Sequence, residues 1–285
     1  MFGAFTILAL VGALVLLIMV IGGEVGGMRS RVERFARKQS LPITVGNGDI
    51  VIGYLAVTRR WRRSGLLVGL ALTIGYSQTI GSSVTHEGLH VNFLALFVGW
   101  FVGAVIAEWR ISTAASGSRR VASLAPRRLA SYLPPSSWVA PALVFAGAAA
   151  AGLVGLVAIV ISRHRVPAAL IVSLAALVLV VAVIRVVVRH VLSRPQPQGA
   201  LDVLAADDAI RSRSLRVLAG SSLALGGYLL ATVLAAASWY AGAGFTSAAG
   251  PFGFAAVTLL PLMGVITATG SGRPRRDRVG VEVGT

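Results

Sequence analysis

The chain has 285 residues, 56% of them hydrophobic and only 13% charged, with a mean hydropathy of +0.82. A water-soluble domain carries about a quarter charged residues, so this composition excludes an ordinary soluble globule and calls for lipid as part of the solvent. The absence of cysteine excludes disulfides, thiolate-bound zinc and iron–sulfur clusters; the net charge of +16 comes from 25 Arg and one Lys.

In chain order, apolar runs occur at 4–23, 65–83, 91–108, 138–162, 167–188, 217–240 and 253–270. Each is close to the ~20 residues that a helix needs to cross a bilayer. They predict an all-α polytopic transmembrane bundle of seven spans, one integral membrane domain over 1–285. The first run lacks a basic stretch before it, and its arginines follow it. It reads as a retained anchor with the N-terminus outside, not a cleaved signal peptide.

The basic residues set the orientation. Segments 24–64, 109–137, 185–216 and 271–285 hold 9, 5, 6 and 4 Arg or Lys, against only Arg163 and Arg165 in the alternate loops. Positive charge stays on the cytoplasmic side, which places the C-terminal tail inside and suggests a bacterial plasma membrane. Trp109 and Trp138 fall at inner boundaries, and Trp239 and Tyr240 at an outer one. Placement beside spans points to anionic lipid as the partner of this charge, and not to nucleic acid.

Between runs one and two, Met28, Val32, Phe35 and Gln39 share a helical stripe among Arg29, Arg31, Arg34, Arg37 and Lys38. Ile50, Tyr54, Val57 and Trp61 form a second stripe flanked by Arg59, Arg60, Arg62 and Arg63. Both predict short basic helices lying in the interface, their arginines reaching phosphates or a cytoplasmic partner. Leu41-Pro42 and Gly46-Asn47-Gly48 break the chain between them, and Asp49 is placed to cap the second. Segment 110–137 reads as a loose loop and 193–200 as a linker. A short helix is expected over 201–216, with Asp207 and Asp208 ahead of Arg211, Arg213 and Arg216.

Spans one to three and five to seven would run in the same orientation, a 3+1+3 parallel repeat of a kind known among transporters. At an offset of 152, Arg59, Leu66, Gly75 and Tyr76 align with Arg211, Leu218, Gly227 and Tyr228. The stretches YLAVTRRWRRSGLLVGLAL (54–72) and ADDAIRSRSLRVLAGSSLAL (206–225) resemble a group of uncharacterised multi-pass membrane proteins of actinobacterial type. That resemblance implies a multi-pass fold and no activity.

Three features bear on chemistry. His86-Glu87-Gly88-Leu89-His90 is an H-E-x-x-H string, which on a helix puts two imidazoles on one face for zinc with Glu87 as base. His164 is a third outer-face imidazole. Against a metal site stand the missing acidic ligand, the helix-weakening Gly88 and the short outer loops, so the string also reads as a polar turn. Tyr76, Ser77, Gln78 and Thr79 in span two, with Ser221, Ser222 and Tyr228 in span six, either line a substrate path or pack helices. Gly65-x-x-x-Gly69 and Gly99-x-x-x-Gly103 favour packing. No Asp, Glu or Lys lies in the core of a run, whereas coupled pumps usually need one.

Taken together, these features point to a non-enzymatic component of a membrane complex or transport system, partnered by other membrane subunits or by copies of itself and needing no cofactor. The alternatives are a permease working through Tyr76, Gln78 and Tyr228, and an outer-face zinc hydrolase on His86, Glu87 and His90.

Overall fold

The structure, a computed structural model, describes residues 27–80, 93–114, 120–121, 128–197, 200–238 and 243–270. The first apolar run and the C-terminal tail lie outside the described residues. The elements are α1 (Met28–Gln39), α2 (Val45–Ile80), α3 (Phe93–Ala114), β1 (Arg120–Val121), α4 (Pro135–Ile161), α5 (Ala168–Ser193), β2 (Gln196–Pro197), α6 (Leu201–Ser238) and α7 (Ala243–Thr269). Four of these, α4 to α7, contain stretches long and apolar enough to cross a membrane. Among the described residues the protein is all-helical, apart from one two-residue antiparallel pairing of β1 with β2, and its apolar helices are consistent with a membrane protein.

The stripe expected over 28–39 does fold as a helix. Phe35 is buried with Leu41, Val51, Tyr54, Leu55, Ala206, Ala209 and Ile210, so α1 packs onto the first turns of α2 and α6. Its end is a Schellman closure: Ser40 takes a left-handed conformation (φ 49°), Ser40 N–H reaches the Arg37 carbonyl, and Leu41 N–H reaches the Ala36 carbonyl.

Two expectations are corrected. The basic stretch 49–63 is not a separate surface helix, because α2 runs unbroken into span two. Likewise 201–216 is the first part of α6, which continues without interruption to Ser238. Neither junction carries a proline or a cap, and Gly65 alone does not stop a helix. At 1.5 Å per residue, 36 and 38 residues exceed the ~30 Å hydrocarbon thickness. Each helix therefore extends well beyond it. Nor does Asp49 cap α2. The cap is reciprocal: Asn47 N–H donates to Thr44 Oγ1 (3.2 Å), and Thr44 N–H donates to Asn47 Oδ1 (2.9 Å).

Backbone-close glycine seams hold two helix pairs. A methyl group on Gly99 of α3 would land on the Gly65 carbonyl of α2 and, at 2.8 Å, on Gly69 Cα. Likewise Gly220 of α6 faces the Gly264 carbonyl of α7. Small residues give membrane helices this approach, as the two Gly-x-x-x-Gly strings suggested. Helix α6 is central. Its most apolar stretch is 78% buried, against 22%, 11% and 17% for those of α4, α5 and α7.

Candidate functional site

The arginine-rich end of the bundle is built by cations that close helix C-termini. The last carbonyls of any helix lack intrahelical donors and carry partial negative charge. Arg211, 0% exposed, answers those of α5 and of the two residues that follow it. Its Nη1 donates to the carbonyls of Val191 (2.9 Å) and Leu192 (3.5 Å), and its Nη2 to those of Arg194 (2.7 Å) and Pro195 (3.0 Å). Its Nε donates to Asp207 Oδ2 at 2.8 Å, one helical turn away. The second Asp207 oxygen accepts from Arg194 Nη2. All five donors of Arg211 are thus used, and Asp207 neutralises one of two guanidiniums. At the end of α7 the same device recurs. Arg216 Nη1 donates to the Gly270 carbonyl (3.0 Å) and Lys38 Nζ to the Thr269 carbonyl (2.5 Å). Burial, with Arg213 and Arg34 nearby, lowers the Lys38 ammonium from its ordinary pKa.

Beside this clamp lies a less complete group. Glu108, near the end of α3, is 2% exposed, and apart from the Ser214 hydroxyl its carboxylate has no hydrogen-bonding neighbour among the described residues. Arg62, Arg194, Arg213, Ser214 and Tyr54 are close enough to influence it electrostatically. Arg62 is itself buried, its Nε and Nη2 unpartnered, with its guanidinium 5.9 Å from the Trp100 ring centre. In return Arg110 of α3 lies 5.5 Å from the Trp61 ring of α2. Tyr54 Oη and Ser214 Oγ are 3.4 Å apart. Burial pushes the Tyr54 phenol up from its ordinary pKa, and the Glu108 carboxylate adds to that shift. A buried carboxylate near a buried guanidinium, with no ion pair joining the two among the described residues, can accept a proton, a water or a small zwitterion. An ionisable residue in that position at the end of an apolar helix is a functional candidate by default.

The sequence-expected residues divide as follows. Arg31 and Arg62 are buried in protein and not turned to a membrane surface. Arg29 pairs with Glu33 at 3.2 Å on the exposed face of α1, and Arg34 Nε bonds the Ser30 carbonyl. Arg37, Arg60 and Arg63 are exposed, and Arg59 half-buried. His86, Glu87 and His90 lie outside the described residues, as do the side chains of Tyr76 and Gln78. His164 sits in the turn after α4, where Arg163 is left-handed (φ 55°) and His164 N–H closes on the Ile159 carbonyl. No group of three or more His, Cys, Asp or Glu positioned for a metal occurs among the described residues. Tyr228 is 6% exposed, with its hydroxyl unpartnered and its ring 5.2 Å from Phe97. Ser221 and Ser222 bond back to the carbonyls of Val217 and Leu218 on their own helix (both 2.6 Å), which leaves them little for a ligand.

Sequence reading missed Glu108, because it closes an apolar run where a boundary charge is ordinary. The clamp had one visible signal, the i, i+4 spacing of Asp207 and Arg211. No protein-family model matches the chain, and comparison with characterised proteins and with solved structures finds no match either.

Proposed function

We propose that the chain is a seven-span protein of the bacterial plasma membrane, N-terminus outside and C-terminus inside, serving as a non-enzymatic component of a membrane complex or transport system. The observation that carries this reading is the contrast in burial between α6 and its neighbours. Helix α6 is packed nearly all round, whereas α4 and α5 present Leu143, Leu153, Val154, Val157, Ile171, Val172, Val178 and Leu179 outward. Such faces suit lipid or another membrane subunit, including a second copy. The gathering of α5 and α7 C-termini with the long N-terminal parts of α2 and α6 at the arginine-rich end supports a cytoplasmic working face. The pairing of a long helix with a glycine-seamed partner, once in α2–α3 and again in α6–α7, supports the parallel repeat. Mild-detergent purification followed by identification of associated chains tests the reading. A stable membrane partner or a homo-oligomer is expected; a chain that runs alone as a monomer after crosslinking in the membrane would overturn it.

The second reading, a permease for a small substrate, is favoured by one observation: Glu108, Arg62 and the Tyr228 hydroxyl are buried with few or no hydrogen-bond partners among the described residues. Thermal stabilisation by one member of a panel of small zwitterions, lost in Glu108→Gln, would move it ahead. The zinc reading on His86, Glu87 and His90 rests on the string alone. One zinc per chain, removed by His86→Ala, would put it first.

A further inference from the structure

At the arginine-rich end, α4, α5 and α6 and the segment carrying Leu129 and Leu133 border a common space. This cavity measures about 700 Å³, a size typical of small-molecule sites. Its walls are almost wholly apolar. Ala142 and Ala146 of α4 and Val178 and Val181 of α5 are among its lining, and Ala142, Ala146 and Val178 are exposed at the surface of the bundle. At its polar edge stand Arg185 and Arg189, one helical turn apart on α5, with Trp138 opposite on α4. Both arginines are exposed, and neither makes a hydrogen bond or ion pair among the described residues. They differ in this from Arg194, Arg211 and Arg216, which are committed to carbonyls or to Asp207. Among the described residues no acidic side chain lines the cavity.

We propose that this cavity binds one anionic phospholipid of the cytoplasmic leaflet, an acyl chain lying between α4 and α5 and the phosphate held by Arg185 and Arg189. The proposal rests on the membrane reading above and adds a defined lipid site to it. The geometry fits that occupant in three ways. The apolar trough opens toward the surroundings of the bundle, as a chain entering from the bilayer requires. Two cations one turn apart can share a phosphate, and arginine does so with several donors at once. The Trp138 ring stands where an amphipathic aromatic meets the headgroup level. A peptide or a second copy of the chain would not by itself account for two adjacent arginines lacking acidic neighbours.

The test uses the full chain in nanodiscs made from mixed phosphatidylglycerol and phosphatidylcholine, followed by native mass spectrometry after release. One phosphatidylglycerol per chain is expected, favoured over phosphatidylcholine and not displaced by excess inorganic phosphate. Arg185→Gln with Arg189→Gln should lower that preference about tenfold or more, while the double lysine variant keeps most of it. Ala146→Trp, which fills the trough, should reduce retention of both lipids. Equal retention of the two lipids, displacement by phosphate, or wild-type retention in both the glutamine and the tryptophan variants would overturn the proposal. Failure of the unaltered chain to enter nanodiscs would instead overturn the membrane reading.

Discussion

Asp207 and Glu108 are both carboxylates buried at the arginine-rich end of the bundle, yet their surroundings differ. Asp207 accepts from Arg194 and Arg211, and Arg211 then spends its remaining donors on four backbone carbonyls. Glu108 has only the Ser214 hydroxyl as a hydrogen-bonding neighbour among the described residues, although guanidiniums surround it. Burying a charge is costly, and the cost is offset only when geometry and hydrogen bonds are complete. The first group is the more extensively hydrogen-bonded and fixes the chain. The second is incomplete, the more usual condition of a group that changes its protonation or its ligand. The comparison separates the arginines that hold the fold from those that remain for a partner, substrate or lipid.

Breaking the first group should cost most. Asp207→Ala strands two buried guanidiniums and should lower stability by about 3–5 kcal/mol, read as a large fall in apparent Tm in detergent or as loss of folded yield. Glu108→Gln keeps an oxygen for the Ser214 hydroxyl and should cost about 1 kcal/mol or less. Equal losses at the two sites would erase the distinction between them.

The next effect is expected at the glycine seam. Gly99→Leu pushes α3 off the α2 backbone and should cost about 1–3 kcal/mol. Gly147→Ala, with nothing within 4 Å of the added carbon, should be neutral or stabilising by up to ~1 kcal/mol. Thermal unfolding of the pair in one detergent checks the contrast.

The smallest effect concerns the surface tie between α2 and α6. The Thr44 hydroxyl donates to Asp202 and holds its carboxyl below the ordinary value of 3.8. A depressed folded-state pKa contributes stability that is present above 3.8 and is lost as pH falls through the folded value. Asp202→Asn should therefore flatten the acid limb of a Tm–pH profile and leave the neutral region nearly unchanged. An unaltered acid limb would show that the tie contributes nothing.

Much of the helical plan is legible in the sequence. Apolar runs of span length locate α4 to α7, and the two Gly-x-x-x-Gly strings meet across α2 and α3 as small residues at that spacing should. The stripe at Met28, Val32, Phe35 and Gln39 marks a helix, because period 3.6 needs no tertiary context. What sequence reading misjudges is continuity and destination. Basic residues next to an apolar run look like the edge of a separate surface helix. Nothing in their local spacing reveals that 45–80 and 201–238 are single helices, nor that Arg62 and Arg211 turn inward. Arg211 finds its carbonyls at 191–195, across a linker, and such a contact has no local signature beyond the i, i+4 Asp207. The cavity is less legible still, since it is bordered by residues from three helices and from the segment at 129–133.

The account depends most on the arginine-rich end facing the cytoplasm. The chain has no cysteine, so single introduced thiols report position without background. Ser136 and Arg163 are both exposed, at opposite ends of α4. Labelling Ser136→Cys and Arg163→Cys in cells with a membrane-impermeant maleimide is the most direct measurement. Arg163→Cys should react in intact cells, and Ser136→Cys only after the membrane is opened; the reverse pattern, or reaction of both in intact cells, would contradict the account.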